Sequence, residues 1–465
     1  MQVITFFYNL LWGDLFYLPL PNGGTLGISL LVLLLIPAGI FFTVRTRFLP
    51  VRLFPEMFRI TMEKRQNSSE NSLSGLQALI VSTATRVGMG NLVGVVAAIS
   101  VGGAGSVFWM WITALIGSST AFAEAALAQI YKEKDPLYGG YRGGPACYIH
   151  HFFTRKKQQK PRYSIIAVLF ALSGLICWCG ISQVISNSVS SAFETAFQIP
   201  PLYTTIILVI LAAIIVLRKN ATVKVLDILV PIMAGCYFFI TIFIIVKNFG
   251  QLPDVLGRIF SEAFGLRQVV GGGFGAVLMN GVKRGLFSNE AGSGSAPCAA
   301  AAADTDHPAK AGLLQAFGVF IDTIVICSCT AMIMLLVPGK YLNGLSGMPL
   351  LHSAMEYHLG SFGVIFIAVT LWLFIFSTFI GVLFYARSNV AYLFGDNWMS
   401  QTVYKIIALV MLFIGGLATY TFVWDLGDIG IGLMTVFNMI VLIPMSGEAV
   451  RTLKDYEQTR MKSKK

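Results

Sequence analysis

The chain has 465 residues, 56% of them apolar and only 12% charged, with a formal net charge of +11. Soluble proteins carry about a quarter of their residues as charged side chains, so a soluble globular fold is excluded. Apolar runs of roughly 20 residues recur, enough to cross a hydrocarbon layer of about 30 Å, and mark a polytopic helical membrane protein.

The charge-poor opening, residues 1–22, lacks the basic flank and small-residue cleavage site of a leader, so no cleaved leader is expected. Eleven spans are expected, at 25–44, 74–99, 106–131, 164–187, 202–217, 225–247, 269–302, 311–337, 362–386, 405–424 and 429–448. With the N-terminus outside, alternate loops collect the bases. Loop 45–73 holds Arg45, Arg47, Arg52, Arg59, Lys64 and Arg65; loop 132–163 holds eight, among them Arg155, Lys156 and Lys157; the tail holds Arg451, Lys454, Arg460, Lys462, Lys464 and Lys465. In all, 26 bases fall on one side and four on the other (Lys247, Arg258, Arg267 and Lys340). That split follows the positive-inside rule and predicts N-terminus out, C-terminus in. The basic charge is therefore topological, and no nucleic-acid partner is expected.

The Gly-Pro-dense stretch Tyr138–Pro145 predicts a turn leading into a short interfacial helix, and short surface helices are expected within 248–268 and 338–361. The seven cysteines are odd in number and mostly within apolar spans, so they read as small packing residues. The five histidines make no metal-ligand pair on a helix. With 25–44 set aside as an extra helix, ten spans divide into 74–247 and 269–448. Each half opens with a glycine-interrupted span, followed by a long span holding an acid, Glu124 or Asp322. An odd number of spans per half gives the halves opposite orientations, the geometry of an inverted repeat.

The interruptions are Gly88-Met89-Gly90-Asn91-Leu92-Val93-Gly94 and the stretch from Gly285 to Gly294. Lipid cannot satisfy backbone groups freed at membrane depth, so such breaks line a cavity. Glycines at 88, 90 and 94 let the backbone unwind and a solute approach, and Asn91 adds an amide that both donates and accepts. The restarting helix presents N–H groups suited to a carboxylate; the carbonyls of the helix that stopped suit a cation. Gly90-x-x-x-Gly94 by itself also reads as a helix-packing motif. The second break holds Ser288, Asn289, Glu290, Ser293 and Ser295, costly against lipid. Arg86, Glu124, Lys283, Arg284, Glu290 and Asp322 lie within spans and need partners; they form either a static charge network or a coupling element. Gln183, on one face with Cys179 and Asn187, either bridges helices or meets the solute. Trp372 is an interface anchor or a pocket wall. Ser377 and Thr378 either bond back to their own helix or complete an oxygen shell for Na+.

At these residues the chain resembles a known family. The run Thr85-Arg86-Val87-Gly88-Met89-Gly90-Asn91-Leu92-Val93-Gly94-Val95 is similar to the signature of the alanine or glycine:cation symporters, with Met89 where that family usually has Thr. Gly102-Gly103-Ala104-Gly105 to Trp111, with Ala104 for the usual proline, Gly143-Gly144-Pro145, and Arg284 to Gly292 resemble further blocks, in order over about 70 to 450. The resemblance implies an all-α, leucine-transporter-like fold of the APC superfamily: a 5+5 inverted repeat behind one extra N-terminal helix. It implies Na+-coupled uptake of a small amino acid, alanine of either hand or glycine. Carried over by position, Gly88, Gly90 and Asn91 would hold the substrate carboxylate and Gln183 its polar backbone groups. Leu286, Phe287, Ser288, Asn289 and Trp372 would shape the pocket. Carbonyls of Ala84 and Val87, with Ser377 and Thr378, would hold Na+. The expected partners are a small amino acid, Na+ and the lipid bilayer of a prokaryotic plasma membrane. No other cofactor, obligate protein partner or enzymatic activity is expected. Proton coupling, glutamine selectivity and, in a different class, an ion channel are the rivals.

Overall fold

The computed structural model describes residues 2–19, 25–63, 74–155, 162–218, 222–265, 274–342 and 344–463. Lys64, Arg65, Lys156, Lys157, Arg267, Lys464, Lys465, the start of the expected span 269–302 and the side chains of Met89 and Lys462 lie outside that description. Among the described residues, eight helices are long and apolar enough to cross a membrane: Gly75–Gly102, Gly105–Ile130, Ile165–Phe197, Ile228–Lys247, Pro308–Leu335, Ser361–Phe394, Trp398–Leu417 and Phe422–Met461. Two shorter apolar helices, Leu30–Arg45 and Pro201–Val216, and a helix in two pieces, Phe274–Asn289 and Pro297–Ala302, complete the apolar set. Helix starts carry local signals. Ser74 and Gln77 form a reciprocal capping box, Asn397 caps the Ser400 N–H, and proline occupies the first turn at Pro145, Pro201 and Pro308.

Two expectations shift. The spans read as 405–424 and 429–448 are helices Trp398–Leu417 and Tyr420–Ser463, with Ala418 extended between them. Asp425 and Asp428, which interrupt the apolar run, are inside the last helix, and Asp428 is tolerated there because two cations meet it. Second, the expected span 25–44 opens as a strand, Thr25–Ser29, paired antiparallel with Asp14–Pro19 behind a helix, Gln2–Trp12, and its helix is Leu30–Arg45. The interfacial helix is present as Pro145–Thr154, and the two surface helices as Leu252–Ala263 and Met348–Leu359.

Helices of the two halves lie antiparallel to their counterparts. A Cβ on Gly75 would meet Thr305, one on Gly90 would meet Ser288, and one on Gly102 would meet Asn280, so the two broken helices run side by side in opposite senses. The helices that follow them repeat this: Trp111 donates to the Ser328 hydroxyl, and Gly312 abuts Phe122. Next, Gly174 abuts Asn389 and the Trp178 ring meets Tyr385. Apolar side chains left exposed, such as Ile207, Ile210 and Ile214 or Ile232, Phe239 and Phe243, cover the flanks of Pro201–Val216 and Ile228–Lys247. That surface suits lipid and not water.

Small residues let the central helices touch backbone to backbone, as packing in lipid requires. A Cβ on Gly180 would stand 2.3 Å from the Gly427 nitrogen, whereas one on Gly235 would meet nothing within 4 Å. Gly180→Val is therefore expected to lower stability in detergent by about 1–3 kcal/mol through overpacking, and Gly235→Ala to leave it equal or slightly higher. Thermal midpoints by fluorescence-detected size exclusion check this. A Gly180→Val midpoint matching the parent would contradict the close crossing.

Candidate functional site

The first helix unwinds at Val87 (φ −75°, ψ 80°) and Gly88 (φ −174°, ψ −108°), within the predicted break. Helix Ser361–Phe394 presses on that point. A Cβ on Gly88 would stand 2.0 Å from the Thr378 hydroxyl oxygen, so glycine is needed there for close approach. The Thr378 hydroxyl lies 3.2 Å from the Ala84 carbonyl and 3.0 Å from that of Phe374, and Ser377 donates to Phe374 at 2.7 Å. These hydroxyls bond back to their own helix, and Thr378 also reaches the broken one. Thr378, Ala84 and the unwound Val87 are brought together; Ser377 stands beside them.

The second break begins later than the glycines imply. Residues 285–289 remain helical, and the chain turns at Glu290 (φ 57°), Gly292 (φ 92°) and Gly294 (φ 83°). Gly285 instead serves packing, its missing Cβ making room for the Thr113 hydroxyl. Glu124 braces the break. Its carboxylate accepts the Gly292 N–H at 2.5 Å and the Asn438 amide at 3.0 Å, while Asn438 also donates to the Gly292 carbonyl at 3.0 Å and accepts from the Tyr148 hydroxyl. Glu290 accepts from Tyr385 at 3.2 Å and faces the Arg86 guanidinium at 3.9 Å.

Leu286, Phe287, Ser288 and Asn289 do not share a face. At about 100° per residue, Phe287 and Ser288 point one way and Leu286 and Asn289 the other. A Cβ on Gly90 would lie 2.7 Å from Ser288 Cα and 3.3 Å from the Phe287 carbonyl. Leu286 and Asn289 instead line a small cavity with Leu35, Thr113, Gly117 and Thr120. Trp372 also stands apart. It is half-buried, stacked on Phe376 at 5.6 Å, and lies about 150° round its helix from the Phe374–Thr378–Gly381–Tyr385 stripe that meets the break. The Cys179–Gln183–Asn187 face packs on helix Trp398–Leu417. Asn187 donates to the Gly415 and Ala418 carbonyls, and the Gln183 amide nitrogen lies 3.2 Å from Met411 sulfur, leaving its Oε1 without a donor among the described residues. Gly180, a turn earlier, abuts Gly427, whose other neighbour is the Phe287 ring.

Sequence reading missed Asp428. Lys283 meets it at 2.6 Å and Arg284 at 3.1 Å, and the Arg284 guanidinium lies 3.9 Å from the Trp424 ring centroid. The Phe287 and Trp424 rings lie 5.0 Å apart, so this cluster sits beside Phe287 on the second broken helix. The available signal was a pair of acids, Asp425 and Asp428, in an apolar run, which reads as partners for in-span cations. At the far end, where the first broken helix starts and the second finishes, a cavity of 510 Å³ opens between Glu63, Ser74, Gly75, Asp304, Asp306 and Lys310.

Two helices broken side by side, with polar groups gathered where the breaks meet, define a membrane-spanning solute carrier. A family model described as the sodium:alanine symporter family matches residues 21–465. The chain is 42% identical over 438 residues to the Probable sodium/glutamine symporter GlnT of Bacillus subtilis (strain 168), covering 94% of this chain and 89% of that protein. It is 35% identical over 435 residues to the Sodium/alanine symporter AgcS of Methanococcus maripaludis, covering 92% and 94%. Among solved structures, MhsT in complex with L-phenylalanine superposes with a TM-score of 0.57 at 13% identity, covering 81% of this chain and 90% of that one. A manganese transporter of Eremococcus coleocola gives 0.52 at 14% identity, covering 83% and 81%. At such identities the structural likeness shows the fold alone, which is leucine-transporter-like. The chain belongs to the sodium:alanine symporter family, multi-span transporters, and resides in the prokaryotic plasma membrane.

Asp428→Ala strands two buried cations, a change expected to cost about 3–5 kcal/mol. Adding Lys283→Met should recover part of that loss. The detergent melting temperatures of the two variants check it, and an Asp428→Ala protein as stable as the parent would refute the pairing.

Proposed function

We propose that this transporter carries a small neutral amino acid, alanine or glycine, into the cell together with Na+. The observation that carries the reading is the junction at the first break, where the Ala84 carbonyl, the unwound Val87–Gly88 backbone and the Thr378 hydroxyl converge. Oxygen ligands from two separate helices suit a hard cation, and an ion there would hold the two helices together. The N–H groups released from Gly88 to Gly90 would receive the substrate carboxylate. Gln183, with its free Oε1, would take the amino group, and Phe287 and Ser288 would wall the pocket. Leu286, Asn289 and Trp372, on other faces, are left out of that pocket. The family and the Methanococcus relative's name support alanine and Na+.

Eleven crossings, N-terminus outside, with 74–247 and 269–448 as inverted repeats, fit the antiparallel pairing of counterpart helices and the 26 to 4 split of basic residues. Transport would then alternate access about the breaks, with the Lys283–Arg284–Asp428 cluster closing the outer side and the 510 Å³ cavity facing inward. Glutamine is the second reading, favoured by the name of the Bacillus relative.

Proteoliposomes with an inward Na+ gradient should concentrate alanine, and Thr378→Ala should raise the Na+ concentration needed. Gln183→Ala should weaken alanine by about tenfold or more, the worth of a hydrogen bond to a charged group. Uptake indifferent to Na+ would sink the reading, and a pH gradient that replaces the Na+ gradient would establish proton coupling. Glutamine outcompeting alanine would select the second reading.

A further inference from the structure

Away from the breaks, the side rich in basic loops carries a polar cavity of 230 Å³. It lies where the short helix Pro145–Thr154, the start of Ile165–Phe197 and the end of Ser361–Phe394 meet. Hydrogen bonds stitch its walls together. The Tyr392 hydroxyl accepts from the Ser164 N–H at 3.1 Å and meets His150 Nδ1 at 2.9 Å, and Tyr163 donates to the Leu393 carbonyl at 3.4 Å. The lining carries both signs of charge. Arg162 stands over the Tyr163 ring, 5.1 Å from its centroid, and has no acid partner among the described residues. Arg142 lies 2.8 Å from Asp396, although its Nη1 makes no aligned hydrogen bond, and 3.7 Å from Glu133. The Glu133 side chain is 60% exposed, so that pairing is loose.

An apolar strip runs from this cavity into the membrane. Ile165, Leu169, Leu172 and Ile176 recur at helical spacing and are all exposed, Ile165 to 78%. They share the face that further along, at Cys179, Gln183 and Asn187, packs on helix Trp398–Leu417; nearer the cavity that face is uncovered. At 1.5 Å per residue the strip is about 16 Å long, roughly the depth of one leaflet. The helix starts beside the cavity at Ile165 with no side-chain cap, so its positive end adds to Arg162. A cavity holding cations at headgroup level, above a strip of one leaflet's depth, has the layout that receives a lipid.

We propose that this cavity seats the headgroup of an aminophospholipid, with its phosphate on Arg162 and Arg142, its primary ammonium on Glu133, and an acyl chain along the uncovered strip. An anion alone would gain from Arg162 and lose against Glu133 and Asp396. A headgroup that carries both charges meets each with its opposite. The leaflet is the cytoplasmic one in the orientation proposed above, and the binding is independent of which solute is carried.

The test titrates delipidated full-length protein in detergent with dioleoyl phosphatidylethanolamine, phosphatidylcholine or phosphatidylglycerol and counts retained lipids by native mass spectrometry. The choline lipid has a methylated ammonium that cannot donate to Glu133, and the glycerol lipid has no ammonium. The parent should retain the ethanolamine lipid about fivefold better than either. Arg162→Ala should weaken that lipid about tenfold, and Glu133→Gln should abolish the preference among headgroups. Arg451→Ala, an exposed base elsewhere on the same side, should change neither. Arg162 and Glu133 are both exposed, so their replacement leaves the fold intact. Equal retention of the three lipids by the parent, a preference for the glycerol lipid, or an Arg162→Ala variant that binds like the parent overturns the site. Free phosphoethanolamine competing as well as the whole lipid also overturns it, because the strip would then contribute nothing. Failure of Na+-driven alanine uptake would remove the proposed transport and leave this binding result standing.

Discussion

A main chain in hydrocarbon has to find every hydrogen bond within the protein, because the solvent offers none. A helix meets this demand by itself; a broken helix does not. Both breaks in this chain are therefore wrapped by other elements, and much of the molecule's polar interior follows from that need. Glu124 comes from the helix after the first break and Asn438 from the last helix, and together they bond both the N–H and the carbonyl of Gly292. Thr378 comes from helix Ser361–Phe394 and reaches Ala84. Each supporting group arrives from a helix distant in sequence, so the breaks hold the bundle together as much as they interrupt it.

The buried charges gather in two clusters of different balance. Lys283 and Arg284 share Asp428, and Asp425 is a further acid beside them, so near Trp424 two bases face two acids. Around Arg86 the acids outnumber the base. In a low dielectric an unbalanced cluster is costly, so the acid-rich surroundings of Arg86 are the more demanding of the two.

Most of the architecture was legible because lipid imposes simple rules. Span length, the position of basic loops and the glycine runs located the membrane helices and the first break, and Gly88 fell on the unwound residue. Two kinds of feature were hidden. Helix ends near Asp425 and Asp428 were misplaced because a buried acid looks like a loop until its partners are known, and those partners lie some 140 residues away. The start of the second break was also misplaced. Glycine permits both unwinding and tight packing, and at Gly285 the neighbouring Thr113 decides for packing. The facing of Leu286 and Asn289 away from Phe287 and Ser288 required only the helical repeat, but it became visible once residues 285–289 were known to stay helical.

The two breaks also differ in how completely protein groups satisfy them, and this bears on what each is for. At the second, Glu124, Asn438 and Ser293 brace the main chain: Gly292 has both main-chain groups bonded, and Ser293 donates to the Glu290 carbonyl at 2.7 Å, with the Asn289 amide nitrogen left without a partner among the described residues. At the first, hydrogen bonding stops short, with Asn91 Oδ1 and Asp322 Oδ1 left as acceptors. Leaving a buried acceptor unsatisfied costs about 1–3 kcal/mol, more when it is charged. A group that bonded the bare acceptors of the first break would gain what the protein leaves unmade there, and only a group that gains more in one conformation than in another changes the shape of the protein.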